Sequence, residues 1–321
     1  MILSRVSEYK LHARCTIALS VAMFVGLSGC KKSAEAAGSA RPQTFASQEA
    51  AANAVYNAAQ AGDNGALVKI FGSDAKELLF SGDPVEDKAA QSKFIRAYDE
   101  MHRWERLRNG KLVLALGAEN YPFPFTLTKN SNGQWYFDGN SAKHEIVARR
   151  IGQNELTTID VLNAVVDAQA EYFDEVHDDS KTHQYAQKFI SDEGKRNGLY
   201  WKQRGTEPES PLGPFAANAS GEGYKVQNLK PQPFHGYFYR ILKKQGRHAP
   251  GGTKDYIANG GMTDGFAVLA YPAEYLNSGV VSFMINQYGT IFEKDLGEDT
   301  AQVAQALTAF DPDDTWKREE E

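Results

Sequence analysis

The stretch NELTTIDVLNAVVDAQAEYFDEV, Asn154–Val176, decides the fold. Ile159, Leu162, Val165, Val166, Tyr172, Phe173 and Val176 recur three, four or seven residues apart, which is the spacing of one helix face. At 1.5 Å per residue its 23 residues predict a helix roughly 35 Å long. The pattern on either side has a different period. After a segment rich in Gly, Pro and charge (192–232), Gly236–Leu242, Gly265–Ala270, Val280–Ile285 and Gly289–Lys294 are strand-like and separated by turn residues. Before the helix, Lys111–Leu116, Phe123–Thr128 and Gln134–Phe137 are strands, the last two joined by the turn residues Asn130–Gly133.

Helices precede those first strands. Ser47 is placed to cap a helix that carries Ala50, Ala51, Ala54, Val55 and Ala58 and stops at Gly62-Asp63. Short apolar pieces follow at 67–71 and 75–80. A helix over Val85–Arg106 begins after Pro84, with Ala89, Phe94, Ile95, Tyr98, Met101 and Trp104 as its apolar stripe. Helices followed by an antiparallel meander predict an α+β chain of two domains, each with helices packed on a small antiparallel sheet. The division falls into a domain over 45–145, a domain over 146–310 and a polar tail over 311–321. Asn140–Gln153 has one Gly, one Ser and no Pro, so it predicts a short helical connector packed on both domains and not a hinge.

The N-terminus has the order of a secretory signal. Arg5, Lys10 and Arg14 are basic, Thr16–Leu27 is a 12-residue apolar or small run, and Leu27-Ser28-Gly29-Cys30 closes it. The run falls short of the roughly 20 residues that span a bilayer. Leu27–Cys30 resembles the bacterial lipobox. That resemblance implies cleavage between Gly29 and Cys30, with lipid on the Cys30 thiol and the new amine. Two or more acyl chains anchor a protein stably. Lys31 follows the cysteine where an aspartate would signal inner-membrane retention, so by analogy with enteric bacteria the expected address is the outer membrane, facing the periplasm. Residues 30–44, rich in Ala, Ser and Gly, then serve as a flexible tether.

Loss of residues 1–29 removes Arg5, Lys10, Arg14 and Glu8, which takes the formal net charge from −6 to −8. A nucleic-acid partner needs clustered positive charge and is not expected. Cys15 leaves with the signal and Cys30 is consumed by lipid, so no thiol remains for a disulfide, a thiolate metal site or a nucleophile.

Ser210–Phe215 (SPLGPF), Pro233–Leu242 (PFHGYFYRIL), Ala249–Gly252 (APGG), Gly265–Tyr275 (GFAVLAYPAEY) and Gly279–Gly297 (GVVSFMINQYGTIFEKDLG) occur in that order. Together they resemble a bacterial envelope family catalogued as domain of unknown function 2950, over most of the mature chain. The resemblance implies no activity and no catalytic or binding residue. The helix and the strands after it are also similar to the globular heads of type IV pilins and pseudopilins. Here, however, a whole domain precedes the helix, so assembly through an apolar stalk is not expected. The first domain is similar in element order to cone-shaped α+β folds of nuclear-transport-factor type.

Chemistry-bearing residues are few. His177, Asp178, Asp179 and His183 are metal-ligand types, but their spacing suits a solvated helix end better, and no metal or other cofactor is expected. His235 lies among Phe234, Tyr237, Phe238 and Tyr239. Strand alternation puts Tyr237 and Tyr239 on one side, either as platforms for a glycan or peptide or as core. Phosphate-cradle, His-Glu-x-x-His and Gly-x-Ser-x-Gly patterns are absent. No catalytic residue is assigned. The expectation is a lipid-anchored envelope binding or assembly module, with the membrane as one partner through Cys30 and envelope proteins or cell-wall glycan as others. The competing reading is an envelope enzyme of cell-wall hydrolase type with a site near His235.

Overall fold

The computed structural model describes residues 41–139, 143–178, 180–206, 208–225 and 232–319. Cys30, Gly29 and the tether up to Ala40 lie outside the described residues. The described residues form one compact unit.

The first core is built by helices α1 (Gln48–Ala61), α2 (Asn64–Phe71), α3 (Lys76–Leu79) and α4 (Pro84–Glu100) against a sheet. Ser47 Oγ accepts the Ala50 amide at 3.1 Å, and Gly62, at φ +64°, closes α1. The strands are β1 (His102–Arg106), β2 (Leu112–Leu116), β3 (Tyr121–Pro122), β4 (Thr126–Lys129) and β5 (Trp135–Asp138), ordered β1-β2-β4-β5 with β3 also on β2. Leu67, Phe71, Leu112, Phe125, Leu127 and Phe137 fill the space between the layers.

The helix predicted to reach Arg106 ends at Glu100. Residues 102–106 instead pair with β2, setting Trp104 opposite Leu114. A strand with five buried residues, as β2 has, leaves no solvated flank, so it needs a neighbour on each side. The Arg108-Asn109-Gly110 turn, with Gly110 at φ +81°, supplies one.

α5 (Lys143–Phe173) is a single helix of 31 residues. It starts eleven residues before the predicted Asn154 and stops before Val176, which lies exposed beyond it. Ile146 and Val147 pack on the first core. Val161, Leu162, Val165, Ala168 and Tyr172 are buried in the second. The expected connector is therefore the opening turns of α5, and the division drawn at 145/146 falls inside a continuous helix.

The second core lies on an antiparallel sheet ordered β14-β13-β12-β11-β6. α6 (Gly213–Glu222) precedes β6 (Tyr237–Leu242). Two small ladders follow, β7 (Lys244–Gln245) with β8 (Lys254–Asp255) and β9 (Ile257–Ala258) with β10 (Gly261–Met262). Then come β11 (Ala267–Pro272), β12 (Val281–Asn286), β13 (Ile291–Asp295), α7 (Thr300–Ala306) and β14 (Lys317–Arg318). Ala267–Ala270 of the central β11 are fully buried, and both α5 and α7 contact that strand. The architecture is α+β, with a long helix before the second sheet.

SPLGPF leads into α6, with Pro214 in the first turn, where its missing N–H costs nothing. One segment departs from expectation. The C-terminal run is not a solvated tail. Phe310 and Trp316 are buried, and Lys317–Arg318 add a short edge strand to β13.

Candidate functional site

The turn Ser81-Gly82-Asp83-Pro84 joins the two cores. Asp83 has 0% of its surface exposed. Its Oδ1 caps α4, accepting the Val85 amide at 2.9 Å and the Glu86 amide at 3.4 Å. Its Oδ2 accepts the Tyr224 hydroxyl at 2.8 Å and the Gly236 amide at 3.4 Å. One carboxylate thus holds the start of α4, the segment just after α6 and the entry to β6. Burial raises the Tyr224 phenol well above its ordinary pKa and the bond to Asp83 adds to this, so it remains a donor.

Arg150 makes the second tie. Its Nη1 donates to the carbonyls of Glu77 at 2.8 Å and Phe80 at 3.2 Å, and to Asn277 Oδ1 at 2.7 Å; Nη2 donates to Leu78 O at 3.0 Å. These carbonyls close α3, where helix ends lack intrahelical donors and favour a cation. Asn277 completes the tie by donating to Phe80 O at 3.0 Å and Glu274 Oε2 at 2.7 Å. Burial lowers the Arg150 pKa, while Asp87, Glu86 and Glu274 oppose that shift. Asp87 Oδ1 accepts both the amide and the hydroxyl of Ser81, at 2.7 and 2.8 Å. Burial nevertheless raises the Asp87 carboxyl.

His235 lies next to these ties. Its φ of +48° is followed by Gly236 at +73°, where a side-chain Cβ would come within 2.4 Å of Asn154 Nδ2. The backbone is thereby turned so that Nδ1 stands 3.0 Å from Glu86 Oε1 and Nε2 stands 3.1 Å from Glu222 Oε2. Burial opposes the charge on the ring. The hydrogen bond and charge of Glu86, with the charges of Glu222 and Asp83, outweigh it and raise the pKa above 6.5. Only an imidazolium donates from both nitrogens at once.

The sign of the linkage follows. The raised folded-state pKa gives stability that is complete below pH 6.5 and is lost as the pH rises through the folded value. Between about pH 6 and 8, the parent should lose stability relative to His235→Gln as the pH increases. Parallel curves of unfolding free energy against pH would contradict the assignment.

The other expected residues sit differently. Tyr237 is fully buried, with its hydroxyl donating to Val281 O at 2.9 Å, so its ring offers no free face. Tyr239 is half-buried and pairs with Thr158 Oγ1 of α5 at 3.2 Å. His177 is not solvated. It is buried, stacks on Tyr172 at 3.9 Å and places Nε2 2.9 Å from Tyr172 O. His183 Nδ1 lies 2.7 Å from Phe173 O, so the two histidines close the end of α5. Among the described residues no three His, Cys, Asp or Glu side chains gather as a metal site.

Beside the junction runs an open groove of about 740 Å³. Its walls carry Gln60 from α1, Asn64 from α2, Asp87, Lys88 and Gln91 from α4, and Glu274 from the loop after β11. Gln91 Nε2 donates to Asn64 Oδ1 at 2.9 Å, which orients both amides. The groove draws on both cores, and its two carboxylates come from residues beside the Arg150 and Asn277 ties. The residues that build the junction carry no sequence signal for it. Asp83 before Pro84 marks a helix start, but its partners lie 141 and 153 positions away.

The chain belongs to the family described as protein of unknown function DUF2950, whose family model matches residues 42–319, both cores and the junction included. No curated protein and no solved structure matches it. The similarities to pilin heads and to cone-shaped folds rest on element order alone.

Proposed function

We propose that this chain is a lipid-anchored binding module of the bacterial cell envelope, held through Cys30 and facing the periplasm, at the outer membrane. The observation that carries the binding role is the polar groove shared by both cores. A groove of several hundred cubic ångströms with convergent polar groups is the usual form of a ligand site. The address rests on the signal-like N-terminus and the Leu27–Cys30 box. Among the described residues no helix is long and apolar enough to cross a membrane.

Cys30→Ala tests the anchor. It should leave a longer precursor that takes up no labelled fatty acid and no longer partitions with membranes. Processing and membrane association equal to the parent's would sink the lipid anchor. The binding role is tested separately by photo-crosslinking from Lys88 in intact envelopes.

The second reading, an envelope enzyme, is favoured by the placement of His235 between Glu86 and Glu222. A general base needs a free nitrogen within reach of a substrate proton. Here both nitrogens are taken by carboxylates, which suits a tie between elements better. Release of soluble fragments from purified cell wall, lost in His235→Ala, would reverse that preference.

A further inference from the structure

We infer that the groove between α1, α2, α4 and the loop after β11 binds a neutral, hydroxyl-rich saccharide strand of the kind that carries N-acetyl groups. The assignment rests on the binding-module reading above and names its ligand class.

The lining chemistry argues for it. Gln60, Asn64 and Gln91 are primary amides, and each presents a carbonyl acceptor beside two N–H donors. Vicinal hydroxyls and acetamido groups present the same mixture in return. Asn64 and Gln91 share one bond, Gln91 Nε2 to Asn64 Oδ1, which leaves the Asn64 amide nitrogen and the Gln91 carbonyl oxygen unused within the pair. Two acceptors that need hydroxyl donors stand nearby. Asp87 Oδ1 is spent on Ser81, and among the described residues no donor hydrogen-bonds its Oδ2. Glu274 spends Oε2 on Asn277.

Charge argues in the same direction. Asp87 and Glu274 are balanced by Lys88 in the lining and by Arg150 behind it, so the groove has no cluster of one sign to select a charged ligand. Small residues are part of the lining. Gly82, at φ +87°, lies so close to Glu274 that an added Cβ would stand 2.9 Å from its Cγ, so the loop after β11 packs directly on the turn before α4. Ala59, Gly62, Pro84 and Ile95 supply low apolar relief, the counterpart of the C–H face of a pyranose ring. The acceptors are held from behind by Ser81, Asn277 and Arg150, so little ordering remains to be done on binding.

The test is calorimetric titration of the full chain in detergent with a β-1,4-linked N-acetylglucosamine tetramer. The expected result is saturable binding that is about tenfold weaker in the double variant Asn64→Ala, Gln91→Ala, whose melting temperature equals the parent's. Affinity should change less than about twofold when salt rises to about 0.5 M, since a neutral ligand makes no ion pair to be screened. Absence of saturable binding by the parent, equal binding by the double variant, or steep weakening by salt each overturns the saccharide assignment. If the tetramer does not bind but a crosslinker at Lys88 captures an envelope protein, the saccharide falls and the binding module stands. If neither is captured, both fall.

Discussion

Arg150→Met should destabilise the protein by about 3–5 kcal/mol, measured by urea unfolding. The guanidinium donates four hydrogen bonds, three of them to main-chain carbonyls at the end of α3 and one to Asn277. A bond to a charged group contributes about 1.5–3 kcal/mol, and the carbonyls left behind are only partly rehydrated. Methionine keeps much of the stem's packing, so the loss reports on the head group. Arg150→Lys should recover less than half of the loss, because an ammonium cannot fork across three carbonyls and an amide. The unfolding transition should also broaden, since one of the two ties that couple the cores is gone. A change below about 0.5 kcal/mol would contradict the role given to Arg150.

Asp83→Ala should cost about 2–4 kcal/mol. Loss of an N-cap side chain accounts for about 1 kcal/mol of this. The remainder comes from leaving the Tyr224 hydroxyl and the Gly236 amide without an acceptor in a buried place, at about 1–3 kcal/mol each when unrelieved. Asp83→Ser retains a short capping oxygen but not the second one. It should recover the cap alone and leave Tyr224 orphaned. Tyr224→Phe, made together with Asp83→Ala, should therefore add much less than it does singly, since the two share one bond. Additive effects would show that the bond between them carries no coupling.

The apolar framework was legible because burial repeats with a period. Leu162, Val165 and Tyr172 mark α5, and β11, β12 and β13 occur within two residues of where their apolar runs lie. The opening turns of α5 read as a short helical connector because Asn140–Gln153 has one Gly, one Ser and no Pro. Arg150 reads as surface on any hydropathy argument, and it is drawn inward by carbonyls, which every residue has and no sequence advertises. Trp104 reads as helical because it lies three and six residues after Met101 and Tyr98, while its alternation in HRWER fits a period of 2. The Asn109-Gly110 pair was the signal that decides between them. Trp316 was hidden among charges, and its partner, the sheet edge at β13, is distant in sequence.

The site was less legible than the fold. His235 stood out by its aromatic neighbours. What makes it unusual is the pair of carboxylates on its ring, one of them 149 positions earlier in the chain. The groove could not be read at all. Its seven polar side chains come from three helices and a loop, and singly each is an ordinary surface residue.

The central claim is that the two cores move as one body, with α5 running unbroken between them and the groove held rigid by the ties at Asp83 and Arg150. Limited trypsin digestion of the full chain, with fragments identified by mass, tests it most directly. Within the described residues the first cut should fall at Lys202 or Arg204, in the exposed 202–206 loop, while Lys143, Arg149 and Arg150 stay protected in α5. Early cleavage at those three residues, releasing two separately stable halves, would contradict the account.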